Sequence, residues 1–341
     1  MFRCLELAEK GAGFTAPNPL VGAVLVHEGR IIGEGWHQQY GEAHAEVNCL
    51  ASVLPEDQPL VAQSTLYVSL EPCAHHGKTP PCTDLILRAG IKKVIVGCRD
   101  PFPAVDGKGI EQLVNAGVEV FISREHDACV FSNRRFFCFH QQHRPYVILK
   151  WAQTADGIIG TNDGKRLLIS NEHTNRLVHR WRSQEAAILV GTETAIRDNP
   201  SLNNRFWNGP SPVKLLLDTS LRVPLSNRIF TTGGRVVVFN YRKQGENGNI
   251  QFYKISPDEP LIDELMRAIH QLGLLSVLVE GGARTLQSFI QASCWDEARV
   301  IVNEKELNVP GVTAPILNNA ALAGDRRILD DTILYYRPLH G

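Results

Sequence analysis

The chain has 341 residues, longer than one hydrophobic core commonly serves, so two domains are expected. With 43% hydrophobic and 21% charged residues, its composition is that of a folded globular protein, not a disordered one. The formal net charge of −1 offers no basic field to a long polyanion, no apolar run reaches the roughly 18 residues of a membrane span, and Met1-Phe2-Arg3-Cys4-Leu5-Glu6 lacks the order of a signal peptide; neither nucleic acid nor membrane is an expected partner, and a cytoplasmic location is expected.

Residues 3–10 have a helical pattern that Gly11 and Gly13 stop. Val21 to Val26 and Arg30 to Gly35 are apolar runs joined by His27-Glu28-Gly29-Arg30, a hairpin signal. A helix is expected over 42–54, a buried strand over Thr65 to Leu70, a helix from Thr83 to Ala89, a strand from Val94 to Gly97, a helix from Gly109 to Ala116 and a strand from Val118 to Val120. Such alternation builds a sheet covered by helices on both faces. The polar stretch from Cys138 to Pro145 interrupts it and divides the chain into expected domains 1–143 and 144–341. Beyond it, strands are expected at Tyr146–Trp151, Ala187–Val190, Val213–Leu217, Arg235–Phe239 and Ser276–Val279, helices near 171–183, 260–272 and 283–292, and an exposed loop at Tyr241–Gly248.

Eight cysteines without a secretion signal read as thiols or metal ligands, not as a disulfide framework. Cys4, Cys49, Cys98, Cys129, Cys138 and Cys294 have no partner at ligand spacing and are expected to be small buried hydrophobes. His44, at the start of a predicted helix, Cys73, after a strand, and Cys82, opening the next helix, make a different set. One imidazole and two thiolates leave the fourth position of a tetrahedral zinc to water, as catalytic sites do. Glu46, two residues past His44, can take a proton from that water and pass it to a leaving amine. The order H-x-E then P-C is the signature of zinc deaminases. Each residue alone has an ordinary reading, as a helix-start histidine, a solvated glutamate or a buried thiol, and a structural zinc site completed by His75 or His76 is the alternative for the group.

The cysteines enclose Ala74-His75-His76-Gly77-Lys78-Thr79-Pro80-Pro81, longer than the two-residue spacing usual in nucleic-acid deaminases. Two imidazoles and an ammonium beside the metal suit a small phosphorylated substrate, with Lys78 on a phosphate and His75 on a polar ring or sugar, although a plain polar loop has the same composition. Asn18, between Pro17 and Pro19, can aim its amide at a pyrimidine edge or simply form a turn.

Together Pro17-Asn18-Pro19-Leu20-Val21-Gly22, Gly35-Trp36-His37, His44-Ala45-Glu46 and the segment from Leu70 to Cys82 resemble the bifunctional riboflavin-biosynthesis deaminase/reductase family, and the resemblance extends over nearly the whole chain. It implies a cytidine-deaminase-like three-layer α/β/α domain followed by a dihydrofolate-reductase-like α/β domain. It further implies removal of the 2-amino group from a diaminopyrimidinone ribosylamino 5-phosphate, with zinc on His44, Cys73 and Cys82, the proton carried by Glu46, and substrate contacts from Asn18, His37, His75, Lys78 and Asp100. In Asp100-Pro101-Phe102-Pro103 the family more often has Asn at the position of Phe102.

In the second half the residues alone say less. Lys150 to Gly157 and Val190 to Thr194 end strands with small and hydroxylated residues, and Val279-Glu280-Gly281-Gly282-Ala283-Arg284-Thr285 runs from a strand through two glycines into a helix, a place where backbone N–H groups can meet a phosphate or where there is only a tight turn. The resemblance implies that NADPH, preferred to NADH, lies near Ala152, Thr154, Thr194, Asp198, Thr219 and Gly282, Ala283, Arg284, Thr285, Leu286, Gln287 and Ser288. It puts substrate near Lys165, Arg182, Leu202, Arg205 and Glu280, two arginines being suited to a 5-phosphate. Lys165 and Leu167 stand where the family often has Ser and Trp. The expected partner is a small phosphorylated pyrimidine, and a homo-oligomer is expected. The competing readings are a nucleic-acid base deaminase with an accessory domain and a non-enzymatic zinc-stabilised binding module.

Overall fold

The computed structural model describes residues 1–75, 80–162, 167–308 and 310–339. The chain separates into two compact units, Met1–Gln142 and His143–Gly341. Among the described residues no helix is long and apolar enough to cross a membrane.

The first unit contains α1 (Phe2–Glu9), β1 (Gly22–His27), β2 (Arg30–Trp36), α2 (Ala45–Ala51), β3 (Thr65–Val68), α3 (Cys82–Arg88), β4 (Lys93–Val96), α4 (Lys108–Asn115), β5 (Glu119–Ile122), α5 (His126–Ser132) and α6 (Arg134–Gln141). Its sheet has the order β2-β1-β3-β4-β5, antiparallel up to β3 and parallel from β3 to β5. Glu28 and Gly29, both at positive φ, make the two-residue turn whose twist suits the β1–β2 hairpin. Because side chains alternate along a strand, Val24 packs with Cys4 and Leu7 of α1 on one face, while Ala23 and Leu25 pack with Ala45 and Cys49 of α2 on the other. Gly22 and Gly35 permit these contacts: a Cβ would lie 2.0 Å from the Cys4 carbonyl oxygen at the first and 2.2 Å from the Cys49 nitrogen at the second. The result is a sheet between helical layers.

Two expectations for this unit need correction. The helix expected over 42–54 covers only Ala45–Ala51, because His44 is its extended N-cap residue, and a 3-10 helix at Pro55–Gln63 follows. The stretch beginning at Cys138 is not all a break: α6 continues to Gln141, held by buried Phe136, Phe137 and Cys138. The chain turns at His143, which adopts positive φ.

The second unit contains β6 (Tyr146–Thr154), β7 (Ile158–Thr161), α7 (Glu172–Gln184), β8 (Ala187–Gly191), α8 (Thr192–Asp198), β9 (Val213–Leu217), α9 (Arg228–Thr231), β10 (Val236–Asn240), β11 (Gly245–Asn247), β12 (Ile250–Lys254), α10 (Leu261–Gln271), β13 (Ser276–Val279), α11 (Ala283–Gln291), β14 (Glu297–Asn303), β15 (Gly311–Thr313), β16 (Ala320–Ile328) and β17 (Asp331–Pro338). Ten strands form one sheet in the order β11-β12-β10-β9-β8-β13-β6-β14-β17-β16, parallel from β12 to β14. Its central strands are apolar on both faces because helices cover both: Leu189, Val277 and Val279 join one core cluster, and Ile188 and Val190 the other.

The expected loop at Tyr241–Gly248 contains β11, an exposed edge strand with no apolar alternation to mark it. The sequence reading also omits β14, β16 and β17. In β14 the buried Glu297 and Arg299 interrupt the apolar run, paired by a 2.6 Å bond from Arg299 Nε to Glu297 Oε1, and the outer β16–β17 pair is mostly half-exposed.

Candidate active sites

In the first unit, the end of β3, the start of α2 and the start of α3 bring His44, Cys73 and Cys82 together, their ligand atoms all within 4.8 Å of one another. His44 Nδ1 lies 3.6 Å from Cys73 Sγ and 3.3 Å from Cys82 Sγ. Tetrahedral zinc, with a nitrogen at about 2.0–2.1 Å and sulfurs at about 2.3 Å, sets its ligand atoms roughly 3.5–3.8 Å apart, so the donor set and its spacing fit the ion. Hydrogen bonds from Cys82 and His44 draw the Cys73 thiol down to about 4, while Cys82, bonded to that sulfur, is pushed up. Cys4 and Cys49 behave oppositely to Cys73, burial raising both to about 12.

Glu46, in the first turn of α2, is only 2% exposed. Burial, reinforced by the nearby Cys73 charge, lifts its carboxyl to about 6. His37 sits edge-on to His44, with ring centroids 5.4 Å apart. Its Nδ1 lies 3.0 Å from the Ala43 carbonyl, which can only accept, so Nε2 is the acceptor for the Asn18 Nδ2 at 3.1 Å. Burial lowers the His37 pKa and favours that neutral tautomer. Asn18, His37 and His44 thus form a continuous row.

Asp100 is buried, accepts the Phe102 N–H at 2.8 Å, and is lifted by burial to about 7. The Phe102 ring lies 6.2 Å from His75 and 5.1 Å from His140, so an aromatic face stands where the family more often has an amide. Lys78 and Lys165 lie outside the described residues. Two residues that the sequence reading did not single out support this site. Asn133, buried, accepts the Leu20 N–H at 2.7 Å and donates to the Leu20 carbonyl at 2.8 Å, fixing the end of the segment that carries Asn18. Glu71 is the other.

In the second unit, β8 and β13 are neighbours, and their carboxyl ends lead into α8 and α11. Ligands of parallel α/β sheets gather at such ends. Thr194 Oγ1 accepts the Gly282 N–H at 2.8 Å, joining the two exits, and Gly282 is the N-cap of α11 with no side-chain cap on the first-turn amides. Amides presented in this way fit the phosphates of a dinucleotide. Ala152 and Thr154 lie on β6, the next strand after β13, whereas Thr219 follows β9. Within the implied set, Leu286 is wholly buried in the core, the Gln287 side chain accepts from Ile316 N, and the Ser288 hydroxyl donates to Arg284 O. Leu202 is likewise a core side chain, at positive φ, so its main chain is the part available to a ligand.

Arg182 of α7 grips Glu280 through two bonds, Nε to Oε1 at 3.0 Å and Nη2 to Oε2 at 2.7 Å, and Lys150 Nζ lies 3.8 Å from the same carboxylate. Burial opposes the charge on Glu280, but Arg182 and Lys150 overcome it and hold the carboxyl at about 2. His179, one turn before Arg182, accepts the Arg205 N–H on Nδ1 at 2.8 Å, and Arg205 also bonds Ser201 Oγ. Burial, then the charges of Arg182 and Arg205, keep the His179 imidazole neutral with a pKa of about 4. Lys150 and His179 belong to this cluster although the sequence reading gave neither a role. The spacing from His179 to Arg182 on one helix face was the available signal.

Two known domains match the chain: the cytidine and deoxycytidylate deaminase zinc-binding region over residues 1–98 and the RibD C-terminal domain over residues 145–305. The riboflavin biosynthesis protein RibD of Aquifex aeolicus is 40% identical over 308 residues, which make up 88% of this chain and 85% of that one. RibD of Escherichia coli is 32% identical over 325 residues, covering 90% and 87% of the two chains. A solved structure from Thermotoga maritima, a diaminohydroxyphosphoribosylaminopyrimidine deaminase/5-amino-6-(5-phosphoribosylamino)uracil reductase, superposes with a TM-score of 0.90 at 34% identity, covering 99% of this chain and 97% of that one. The fold class expected from the sequence, a deaminase-like domain followed by a reductase domain, is that of these proteins. The chain therefore belongs to the RibD family of bifunctional riboflavin-biosynthesis deaminase/reductases.

Proposed function

We propose that residues 1–143 perform the deamination and residues 144–341 the reduction, with the residues of the two clusters in the roles below. The enzyme hydrolyses 2,5-diamino-6-(5-phosphoribosylamino)pyrimidin-4(3H)-one to 5-amino-6-(5-phosphoribosylamino)uracil, and then reduces the ribosyl group to ribityl with NADPH. The observation that carries the division is the His44, Cys73 and Cys82 triad with the buried Glu46 beside it, all within the first unit.

Zinc, held by His44, Cys73 and Cys82, supplies the Lewis acidity that makes water a nucleophile near neutral pH. Glu46 takes the proton released and delivers it to the departing amine. Asn18, oriented by His37, reads the pyrimidine edge, while His75, Lys78 and Asp100 contact the rest of the substrate. In the second unit, the Gly282 to Ser288 segment and Thr194 hold NADPH, which supplies hydride, with Ala152, Thr154, Asp198 and Thr219 beside it. Lys165, Arg182, Leu202, Arg205 and Glu280 lie along the substrate, the two arginines suiting its 5-phosphate, and would orient the opened sugar towards the nicotinamide. Supplying the substrate to zinc-loaded protein, following ammonia and then adding NADPH and following its absorbance, tests both halves. Ammonia without NADPH oxidation would leave only the first assignment standing.

We also infer a homo-oligomer and a cytoplasmic location. β16 is an edge of the large sheet with Leu322 exposed, and unpaired edges are association surfaces, which light scattering tests. Thiolate ligation through Cys73 and Cys82 favours a reducing compartment, which fractionation tests.

A further inference from the structure

Glu71 lies at the turn from β3 into the metal-ligand segment, two residues before Cys73, and is only 4% exposed. A carboxylate so placed needs strong compensation. Here the compensation is four backbone N–H groups from two other parts of the chain. Oε1 accepts from Gly109 at 2.9 Å and Ile110 at 3.1 Å, both in the first turn of α4, and Oε2 accepts from Asp100 at 3.1 Å and Gly107 at 3.0 Å, near the two ends of the loop between β4 and α4. A simple helix cap would serve α4 alone; this carboxylate also closes the loop that carries Asp100 and Phe102.

The packing makes the connection stiff. A Cβ at Gly109 would lie 1.9 Å from the Pro72 carbonyl oxygen, so the start of α4 abuts the peptide that leads into Cys73. On its outer side the loop is tied by Arg99, whose Nη2 donates to Asp106 O at 2.6 Å and whose Nε lies 3.0 Å from Asp106 Oδ1. The Glu71 main chain is fixed too, its N–H bonding Cys98 O at 2.9 Å.

We propose that Glu71 is a positioning residue of the deaminase site, its two oxygens locking the Cys73 turn, the Asp100 loop and the start of α4 into one unit. The inference rests on the deaminase reading of that site. Without the carboxylate, the Asp100 loop and the Cys73 turn can shift relative to each other, and displacements near 1 Å at a reacting centre cost on the order of a hundredfold in rate.

The test is Glu71→Gln, which keeps the volume and one accepting oxygen but turns an NH2 towards two N–H donors. Assays run well below the variant's melting temperature, with reductase turnover in the same molecules as the internal standard. Deaminase kcat/KM should fall roughly ten- to a hundredfold, with a raised KM for the diaminopyrimidine phosphate. Reductase kcat should hold, metal analysis should still give one zinc per chain, and the visible bands of the cobalt-substituted protein should shift as Cys73 moves. An unchanged KM together with unchanged cobalt bands would overturn the proposal; so would parallel loss of both activities, which means general destabilisation. If the Gln variant does not fold, Glu71→Asp, which keeps the charge and shortens the reach, is judged by the same readouts. Absence of ammonia release by the wild-type protein would instead defeat the deaminase reading itself.

Discussion

The two sites are held together by different physics. In the first unit, side chains spaced closely along the sequence converge on one ion position: His44 and Glu46 share a helix start, and Cys73 and Cys82 bracket one loop. In the second, main-chain groups at the ends of β8 and β13 prepare one side of the site, and the charged cluster of Arg182, Lys150 and Glu280 draws on α7, β6 and the end of β13. The first site should therefore fail one residue at a time with its fold intact, whereas the second should lose structure together with activity.

Glu46→Gln gives the largest effect and the cleanest break between the sites. The general acid–base contribution it removes is worth about 10²–10⁴-fold. Ammonia release should fall by that factor, while zinc content and NADPH oxidation with the deaminated substrate stay at wild-type levels. Deamination retained in this variant would remove Glu46 from the mechanism.

Glu280→Ala should show the opposite pattern. It leaves Arg182 and Lys150 buried without their anion, and breaking a buried pair costs about 3–5 kcal/mol. Calorimetry should show the second unit destabilised and reduction lost, with deamination preserved. A loss of reduction at unchanged stability would mean that the carboxylate serves the ligand more than the fold.

The same contrast accounts for what the sequence disclosed. His44, Glu46, Cys73 and Cys82 were legible because the chemistry prescribes residue types, order and short spacing. So were β8 and β13, short apolar runs buried on both faces, and β9, whose run Lys214 interrupts without hiding it. Glu71 and Asn133 were not, because their partners are backbone groups of Asp100, Gly107, Gly109, Ile110 and Leu20, and any residue type can provide those. Lys150 and His179 were hidden for a related reason. Their roles depend on Glu280 and Arg205, and in Lys150's case on a partner more than a hundred positions away. β14 was masked by Glu297 and Arg299, whose charges cancel only after folding pairs them.

Asn133→Ala tests whether such backbone-directed groups matter in the first site. It leaves the Leu20 N–H and carbonyl without their partner, a cost of about 1–3 kcal/mol for each buried group left unsatisfied. The segment carrying Asn18 loosens while the zinc ligands stay, so the deaminase KM should rise more than kcat falls. A change in kcat alone would break the link from Asn133 to Asn18.

The smallest effect is a pH dependence of the second unit, carried by His179. His179 is neutral when folded, with its pKa near 4, whereas an unfolded histidine has a pKa of about 6.5. Above about pH 6.5 neither state is protonated, so the group contributes no pH dependence there. As pH falls from there towards 4, the unfolded chain takes up a proton that the folded site refuses, held off by burial and by Arg182 and Arg205, against which the Asn204 side chain and the Glu280 charge favour uptake. Stability is thus lost across that window and levels off below it. Glu280 adds nothing until lower pH, because its depressed carboxyl gives up its contribution only as pH falls from about 4.3 towards 2. In His179→Asn, the amide oxygen can still accept the Arg205 N–H but cannot titrate. Melting curves of the second unit for wild type and variant should therefore diverge between pH 4 and 6.5, the wild type showing the steeper decline, and parallel curves would mean that His179 is protonated in the folded protein.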